Sequence, residues 1–475
     1  MNAQTLSPSG DPAQSGDPPQ SCDPVVIVGA GFTGLAAAYE LAKAGQRVVV
    51  LEKEPVVGGL ASGFKVGDFT LERFYHHWFT NDVHVMDLIE EIGCSDQVVF
   101  RPTRTGMYYA NTIFRLSTPL DLLRFSALSF VDRVRLGLLA LRARRIRDWK
   151  KIEHMTARDW LIQLAGAKVF KVVWEPLLTG KFGPYADKVG AVWFWKKLAL
   201  RGGSRASDGR EVLAYYKGGF SELAEALKRK LEAMGVEVRT SSAVTGLTIE
   251  DGAVSAVRID GDAIPARAVL LTQALPLIAD LLEGHAPPPY VASLRRIDYL
   301  ANICLVLELD RSLSETYWLN VNDPSFPFVG VIEHTNFEPP ENYGGRHIVF
   351  LSKYLPESDT LYRMSDPDVL DFAIPHLQRM FPNFERAWVT GYHVWRARFS
   401  QPIAEPGYSS LIPPQQTPLA NVQVATMAQI YPEDRGTNYA IREGRRIAKE
   451  LIADPAKFPS APEPASAAGS AATRP

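Results

Sequence analysis

A glycine-rich turn between two strand-like segments restricts, more than any other feature, how this chain can fold. The run Val25–Val28 is short and entirely β-branched, which is typical of a strand buried on both faces. It leads directly into Gly29, Gly31 and Gly34, spaced as GxGxxG, and then into a helical pattern. A second apolar strand follows and ends at Glu52. Together these parts form a β-α-β unit, which predicts a parallel sheet covered by helices.

The residues of this turn suit a dinucleotide. Gly29 permits the tight turn, Gly31 lets the backbone approach a pyrophosphate, and Gly34 lets the helix pack closely on the strand. The helix N terminus, where Thr33 lies, offers unpaired N–H groups and a positive dipole to the phosphates. Glu52 follows Gly34 by 18 residues and is placed to accept hydrogen bonds from a ribose diol. Because an acid disfavours a 2′-phosphate, the motif predicts NAD or FAD rather than NADP.

The composition is that of an ordinary globular protein. Of the 475 residues, 46% are hydrophobic and 22% are charged, and the net charge of −2 gives no reason to expect nucleic acid as a partner. The three cysteines lack the spacing of a metal site or a disulfide framework. Without a signal peptide or a run of about 18 apolar residues, we expect a cytoplasmic protein without a membrane span.

The residues after the second strand separate NAD from FAD. Lys53 is followed by the doublet Gly58-Gly59 and then by Leu60 and Ala61. This segment resembles the glycine-doublet segment of the FAD-dependent amine oxidase, phytoene desaturase and protoporphyrinogen oxidase superfamily. The resemblance implies FAD as the cofactor, with these residues among its contacts. Many members carry an arginine where this chain has Leu60, so that ionic contact is missing or supplied elsewhere.

The resemblance extends along nearly the whole ordered chain. A Gly218-Gly219 pair precedes an amphipathic helix, for which Ser221 is the expected N-cap. Val244, in the strand region that follows, matches the position of the family's backbone contact to adenine.

The C-terminal region carries the last of these segments. A buried strand ends near Met427, where many relatives have an acid that holds the ribityl chain, and Asp434 is the nearest candidate to replace it. Gly436, Thr437 and Asn438 then open a helix. In the family, the N terminus of this helix points at the flavin pyrimidine ring, which suits the negative charge of the reduced flavin.

The resemblance implies an α/β fold: a Rossmann-like FAD-binding domain of the glycine-doublet type with an inserted mixed α+β substrate domain. We assign residues 24–100, 212–275 and 415–454 to the FAD-binding domain. Residues 101–211, mostly helical with a long helical pattern over 120–149, and residues 276–414, mostly strands, form the expected substrate domain.

The two ends of the chain differ in composition from the rest. Residues 1–23 and 455–475 are rich in proline, glycine, serine and alanine. This composition predicts a disordered leader and a disordered tail.

Two adjacent histidines, His76 and His77, are the first catalytic candidates. Adjacent side chains diverge on any regular element, and no ligand cluster surrounds these two, so we expect no metal. The segment is similar to the His-x-Phe-His-Thr stretch of UDP-galactopyranose mutases, whose first histidine lies beside the flavin. Either His76 or His77 corresponds to it, as a donor to flavin N5 or a proton shuttle. The alternative is a pair of hydrogen-bonded core histidines.

Glu333 and His334 are the second pair of candidates. They end an apolar strand, where polar groups are costly unless they are paired or line a cavity. The surrounding string, together with segments near Trp174, Gln401 and Tyr431, is similar to the bacterial and archaeal protoporphyrinogen-oxidase-like subgroup. We consider Glu333 or His334 as an acid or base on the substrate side.

The segment 120–151 is strongly basic. Nine lysines and arginines against three aspartates leave a local charge of +6, and apolar residues are interleaved with them. Such a segment can lie on an anionic membrane surface, here at the inner face of the membrane. The alternative is a solvated helix that packs on its own domain.

These observations predict an FAD-dependent oxidoreductase that moves a hydride between flavin N5 and a bulky, apolar small molecule. Isoprenoids, polyenes, tetrapyrroles and amines are the substrate classes that the resemblance implies. The first alternative is a mutase similar to UDP-galactopyranose mutase, which would need arginines such as Arg201, Arg205, Arg396 and Arg398 to hold a diphosphate. An NAD-dependent dehydrogenase and a flavin-bound scaffold without turnover are further alternatives.

Overall fold

The structure of the protein is a computed structural model that describes residues 23–115, 119–201 and 211–453. The predicted leader, except for Asp23, and the predicted tail lie outside this range.

Within the described residues, the strands are β1 (Val25–Val28), β2 (Val48–Leu51), β3 (Gly63–Val66), β4 (Phe69–Glu72), β5 (Trp78–Phe79), β6 (Val98–Pro102), β7 (Thr105–Tyr109), β8 (Thr112–Arg115), β9 (Val212–Tyr216), β10 (Glu237–Arg239), β11 (Val244–Glu250), β12 (Ala253–Ile259), β13 (Asp262–Pro265), β14 (Ala268–Leu271), β15 (Tyr299–Leu309), β16 (Trp318–Val321), β17 (Gly330–Glu333), β18 (His347–Leu355), β19 (Val389–Pro402) and β20 (Val422–Val424).

The α-helices of the same residues are α1 (Phe32–Lys43), α2 (Val83–Glu91), α3 (Pro119–Arg124), α4 (Phe130–Arg145), α5 (Ala157–Ala165), α6 (Ala167–Val169), α7 (Glu175–Phe182), α8 (Ala191–Arg201), α9 (Phe220–Ala233), α10 (Leu275–Leu282), α11 (Pro288–Leu294), α12 (Thr360–Arg363), α13 (Asp366–Met380) and α14 (Thr437–Ala453). None of these helices is long and apolar enough to cross a lipid bilayer.

A parallel five-stranded sheet forms the first of the two large layers of the fold. Its strand order is β10-β2-β1-β14-β20, and every pairing in it is parallel. All residues of β1, β2 and β14 are buried, as expected for strands covered on both faces. Helices α1, α9 and α14 contribute to the core on one face, and β11–β13 with α10 and α11 to that on the other. The predicted Rossmann-like fold is thereby confirmed.

A seven-stranded sheet forms the second large layer, in the order β19-β15-β18-β17-β16-β7-β8. It joins strands from two distant parts of the sequence, because β7 pairs in parallel with β16. Alternate residues of β15 enter different cores: Ile303 and Leu305 pack in the same cluster as α13, whereas Cys304 and Val306 pack in the cluster that contains α1. One face of this sheet therefore meets the parallel-sheet half of the molecule.

Two helix boundaries differ from the sequence predictions. The helix expected over 120–149 is divided into α3 and α4, because Ser129 caps a new helix by accepting a hydrogen bond from the Asp132 amide. Ser221 is not the N-cap of α9. Gly219 occupies that position with a φ of 97°, and Ser221 lies buried in the first turn.

Candidate active site

The turn between β1 and α1 has the close contacts that its glycines predict. A Cβ on Gly29, whose φ is 109°, would lie 2.5 Å from Thr272 Oγ1, and a Cβ on Gly34 would lie 2.0 Å from the Gly29 carbonyl oxygen. A Cβ on Gly31, in contrast, would meet no atom within 4 Å. Gly29 and Gly34 therefore shape the turn, while Gly31 borders open space at the N terminus of α1, beside Thr33.

Glu52 lies at the carboxyl end of β2, beside this turn, and is 7% exposed. Its Oε2 accepts a hydrogen bond of 2.8 Å from the Ala30 amide, and its Oε1 accepts one of 2.9 Å from the Glu54 amide. The Ser242 amide donates to the Glu52 carbonyl at 2.8 Å, which brings the start of β11, and with it Val244, to the same edge of the sheet.

The glycine doublet packs against the turn. The Gly58 amide donates to the Ala30 carbonyl at 2.8 Å, and a Cβ on Gly59 would lie 3.3 Å from Gly31 Cα. Both glycines have positive φ, 103° and 59°. The space in front of Gly31 is therefore bordered by the doublet as well.

The other predicted residues of this segment differ in exposure. Ala61 is buried and Leu60 is partly exposed. Lys53 is exposed, and its ammonium group lies 3.8 Å from Glu54 Oε1.

A buried acceptor without a partner lies at the same edge. Gln273 Oε1, two residues beyond the end of β14, accepts no hydrogen bond from the described residues. Open parallel sheets bind ligands at the carboxyl ends of their strands. The open space at Gly31, the uncapped N terminus of α1 and this orphaned acceptor together fit a dinucleotide cofactor.

The start of α14 faces the segment that carries the two histidines. Thr437 Oγ1 accepts a hydrogen bond of 2.8 Å from Trp78 Nε1, and Asn438 Oδ1 accepts one of 3.1 Å from the Val85 amide. Gly436 borders open space. Met427 begins the short 3-10 turn after β20. The structure thus places Thr437 and Asn438 beside the histidine segment and α2.

Asp434 does not replace the missing acid near Met427. One of its oxygens accepts a hydrogen bond of 2.7 Å from Trp193 Nε1, and the other lies 2.5 Å from Lys197 Nζ. Both oxygens are therefore engaged by side chains of α8.

His76 and His77 point to different partners. His76 Nδ1 lies 3.2 Å from Glu72 Oε1, and its ring stacks on Phe220 with centroids 5.2 Å apart. His77 Nδ1 lies 3.0 Å from the Tyr317 hydroxyl. The histidines therefore belong to two separate sets of contacts, as their adjacent positions require.

Glu72 is a residue of the candidate site that the sequence analysis did not single out. It ends β4, is 3% exposed, and accepts hydrogen bonds from the Tyr215 hydroxyl at 2.7 Å and from the Phe220 amide at 3.2 Å. The only sequence signal is an acid at the end of a strand pattern, four residues before His76. Its partners come from residues more than 140 positions away, which no local pattern indicates.

His334 joins the same network from the other side. Its Nε2 lies 2.7 Å from the Tyr343 hydroxyl, and its ring packs edge-to-face on that of Tyr215 with centroids 5.2 Å apart. Burial lowers the pKa of His334 to about 4, so its imidazole is neutral near pH 7. Within the described residues, a chain of side-chain contacts thus runs from His334 through Tyr215 and Glu72 to His76.

Glu333 does not fit the predicted role of an acid or base on the substrate side. Its carboxylate accepts four hydrogen bonds from the adjacent loop: from Ser312 Oγ at 2.5 Å, the Leu313 amide at 3.0 Å, and the Ser314 amide and Oγ at 2.9 and 3.2 Å. Burial raises its pKa, and these hydrogen bonds oppose that shift. The carboxylate serves to hold the loop.

Among the described residues, no group of three or more His, Cys, Asp or Glu side chains is arranged to hold a metal ion.

Comparison with known proteins gives consistent results. The family of flavin-containing amine oxidoreductases matches residues 32–452. A protein from Synechococcus elongatus named as a zeta-carotene desaturase is 23% identical over 480 residues, which cover 90% of this chain and 98% of that protein.

Solved structures share the fold at low identity. A protein from an Exiguobacterium species described as a protoporphyrinogen oxidase has a TM-score of 0.74 at 18% identity, covering 91% of this chain and 99% of that one. Reduced UDP-galactopyranose mutase has a TM-score of 0.70 at 14% identity, covering 91% and 96%. The predicted likeness to these families is confirmed.

Proposed function

The chain belongs to the family of flavin-containing amine oxidoreductases, and on that premise we propose that it transfers a hydride between flavin N5 and a carbon of a bulky, largely apolar substrate. It is an FAD-dependent oxidoreductase. When bound, FAD supplies the two-electron chemistry, and the protein supplies position, electrostatics and a closed site.

The aromatic surroundings of the histidine segment carry this proposal. Tyr75 packs edge-to-face on Trp318 and Phe350, with ring centroids 5.0 and 6.2 Å apart. Trp78 stacks on Phe220 at 3.9 Å and donates a hydrogen bond to Thr437 at the start of α14. The segment therefore lies between the helix expected to face the flavin and the aromatic side chains of the large sheet. Such walls suit an apolar substrate.

We propose that His76 accepts the proton that the substrate loses together with the hydride. Oxidation of a C–H bond removes a hydride and a proton, and the proton needs a base within reach of the substrate. Glu72 orients the His76 ring through Nδ1, and Nε2 forms no hydrogen bond with the described residues, which leaves it available. Dioxygen or a quinone is the class of acceptor that would complete the two-electron balance.

We propose that Gly31, Gly58 and Gly59 surround the pyrophosphate and that Glu52 binds the ribose diol, with backbone contact to adenine at Val244. The remaining predicted contacts of the cofactor include Lys53, Leu60, Ala61, Met427 and Asn438. These assignments follow from the open space at Gly31 and the position of Glu52 beside it.

Arg73 is the cation that we propose in place of the arginine missing at Leu60. Its amide donates to the Ser62 carbonyl at 3.1 Å, three residues after the doublet. Its Nε is buried and has no hydrogen-bond partner among the described residues. A buried donor without a partner is costly, and a phosphate oxygen would satisfy it.

The mutase alternative receives less support from the arginines considered for it. Arg396 is bonded to the Tyr362 and Met364 carbonyls and to Asp366, and Arg398 is paired with Glu357. Arg205 and the side chain of Arg201 lie outside the described residues.

We test the proposed function by loading the purified protein with FAD and mixing it anaerobically with reduced candidates: a porphyrinogen, a carotene precursor and aliphatic amines. Loss of the flavin absorbance band with formation of the dehydrogenated product supports the proposal. If FAD is bound but every candidate class leaves the flavin oxidised, the proposal is contradicted.

We also propose peripheral contact with an anionic membrane surface through α3 and α4. The described residues between 123 and 141 expose six large apolar side chains: Leu123, Phe130, Val131, Val134, Leu138 and Leu141. Phe130 is 68% and Leu141 51% exposed, and the exposed cations of the segment surround them. Exposed apolar side chains among cations suit a bilayer interface with anionic lipid.

Vesicle co-sedimentation tests the membrane proposal. The protein should bind vesicles that contain phosphatidylglycerol more strongly than pure phosphatidylcholine vesicles, and a Phe130→Asp, Leu141→Asp double variant should lose this binding. Phe100→Asp is the matched control, since Phe100 is 55% exposed elsewhere on the surface. Equal binding of the double variant and the wild type would show that this surface is not the contact.

A further inference from the structure

The strand order of the parallel sheet determines which strand ends an extended cofactor passes. Along the carboxyl edge of the sheet, Glu52 follows β2, Gly31 lies in the turn after β1, and the ends of β14 and then β20 come next. Glu52 and Gly31 are the residues that we assign to the ribose diol and the pyrophosphate. Adjacent strands lie about 4.8 Å apart. A dinucleotide that runs from Glu52 past Gly31 therefore continues over the ends of β14 and β20.

Gln273 and Thr426 occupy equivalent positions at these two strand ends. Leu271 pairs with Val424 in the parallel register, and the Ala425 amide donates a hydrogen bond of 3.0 Å to the Leu271 carbonyl. Each of the two polar residues follows the paired residue of its own strand by two positions. Gln273 and Thr426 therefore lie at the same level, just beyond the last paired residues of their strands.

Gln273 also adjoins the glycine-rich turn. A Cβ on Gly29 would lie 3.9 Å from the amide nitrogen of Gln273. The preceding residue, Thr272, donates its hydroxyl hydrogen to the Val28 carbonyl at 2.9 Å, which holds the end of β14 against the end of β1. Gln273 is therefore next to the turn whose open space at Gly31 we assign to the pyrophosphate.

Both side chains have unused hydrogen-bonding capacity. Gln273 Oε1 is buried and accepts no hydrogen bond from the described residues. Thr426 is 3% exposed and forms a capping box with Gln429, but its hydroxyl hydrogen has no acceptor among those residues. Buried polar atoms without partners cost free energy. Since a hydroxyl group both donates and accepts, a chain of hydroxyl groups complements one free acceptor and one free donor.

The acids that follow β20 are engaged by other side chains. Asp434 is held by α8, as described above, and Glu433 lies 3.2 Å from Lys196 Nζ and 3.1 Å from Arg442 Nη2. Neither acid is therefore available to replace the carboxylate that many relatives carry near the position of Met427.

We propose that Gln273 and Thr426 bind the hydroxyl groups of the ribityl chain of FAD. Gln273 Oε1 accepts a hydrogen bond from one hydroxyl group, and the Thr426 hydroxyl donates a hydrogen bond to another. Two neutral side chains on adjacent strands thereby replace the single acid of the relatives. The inference rests on the cofactor contacts proposed for Glu52 and Gly31, and it does not depend on hydride transfer.

The test compares FAD with ADP, which contains the ribose and the pyrophosphate but no ribityl chain. Both ligands are titrated into the full-length apoprotein, with flavin fluorescence reporting FAD binding and calorimetry reporting ADP binding. Gln273→Leu should weaken FAD binding about five- to tenfold, the range of one hydrogen bond, and change ADP binding by less than about twofold. Gln273→Glu should retain FAD binding, because a carboxylate also accepts hydrogen bonds from hydroxyl groups.

Thr426 provides a second and independent pair of variants. Thr426→Val should weaken FAD binding in the same direction as Gln273→Leu and leave ADP binding unchanged, and it replaces Gln273→Leu if that variant does not fold. Thr426→Ser keeps the hydroxyl group and should retain FAD binding.

Gln423→Leu is the matched control. Gln423 is 5% exposed and its Oε1 also has no partner among the described residues, but it lies within β20 instead of beyond the end of the strand. This variant should bind both ligands with wild-type affinity. Because Gln273→Leu removes a buried acceptor without a partner, its apoprotein should be at least as stable in urea as the wild type. Lower stability together with unchanged FAD affinity would show that Gln273 is structural.

Two binding results would overturn the ribityl subsite. The first is wild-type FAD affinity in folded Gln273→Leu and Thr426→Val, and the second is equal weakening of FAD and ADP, which would place these side chains at the pyrophosphate. Failure of the proposed contacts is visible separately, because Glu52→Gln should weaken ADP binding as well as FAD binding. A protein whose Gln273 distinguishes FAD from ADP but whose flavin is never reduced by a substrate would contradict hydride transfer alone.

Discussion

The carboxylate of Glu72 lies 3.2 Å from Nδ1 of His76 and links that histidine to a buried polar network. The same carboxylate accepts a hydrogen bond from the hydroxyl group of Tyr215, whose ring packs edge-to-face on His334. A carboxylate behind an imidazole fixes the orientation of the ring. If His76 exchanges a proton in the reaction, Glu72 is its positioning residue.

Glu72→Gln should therefore slow flavin reduction about tenfold while FAD content stays at the wild-type level. His76→Gln should have a similar effect. Because the two residues act as a unit, the double variant should be scarcely slower than either single variant. Anaerobic rapid-mixing kinetics measure all three. Purely additive effects would show that Glu72 does not act through His76. His77→Gln is the control, because His77 belongs to the separate set of contacts that includes Tyr317.

Two alanine substitutions in the first turn should separate folding from cofactor binding. Gly34→Ala places a Cβ 2.0 Å from the Gly29 carbonyl oxygen and should lower the free energy of unfolding by about 1–3 kcal/mol or prevent folding. Gly31→Ala places its Cβ in open space at a φ of −73°, so the protein should fold normally.

Gly31→Ala should nevertheless lose most of its FAD, because the added methyl group occupies the space assigned to the pyrophosphate. Urea unfolding of the apoproteins and FAD content after gel filtration report the two effects. Full FAD occupancy in folded Gly31→Ala would place the pyrophosphate elsewhere.

Glu52→Gln should weaken FAD binding about tenfold, since an amide can accept fewer hydrogen bonds from the ribose diol than a carboxylate. The matched control is Glu232→Gln on α9, whose 45% exposed side chain pairs with Lys228 and which should retain FAD. Equilibrium dialysis of FAD measures both affinities. Unchanged affinity in Glu52→Gln would refute the ribose assignment.

His334 should make the stability of the protein depend on pH. Burial depresses its pKa from 6.5 to about 4 in the folded protein, so between these values the unfolded chain binds the additional proton. The contribution of His334 to the free energy of unfolding is therefore fully present above pH 6.5 and is lost as the pH falls toward 4. His334→Gln should flatten the loss of urea stability between pH 7 and pH 5, whereas exposed His285→Gln should not. If urea stability falls equally steeply with pH in both variants, its pH dependence arises from other groups.

The parts of the fold that local patterns encode were predictable. The β1-α1-β2 unit, Glu52 and the doublet Gly58-Gly59 are neighbours in sequence, and their glycine spacing and buried strands follow from local geometry. The sequence analysis missed the division of the helix at Ser129. A serine within a helical pattern can lie inside one helix or cap the start of another, and the path of the preceding chain decides between the two.

Local sequence patterns did not reveal two features of the candidate site. Glu72 acquires its importance from partners distant in sequence, Tyr215 and Phe220. Glu333 or His334 was considered as an acid or base because a carboxylate at the end of an apolar strand is unusual. Its four hydrogen bonds come from the loop at Ser312–Ser314, which a strand pattern does not reveal.

The most direct test of the central claim is anaerobic rapid mixing of the FAD-loaded protein with a reduced, bulky substrate such as a porphyrinogen, with the flavin absorbance followed over time. The account predicts that the flavin band disappears in a substrate-dependent phase and returns on admission of dioxygen or a quinone. A flavin that stays oxidised with every apolar candidate, in a protein that after chemical reduction interconverts the pyranose and furanose forms of a UDP-sugar, would contradict hydride transfer and establish the mutase alternative.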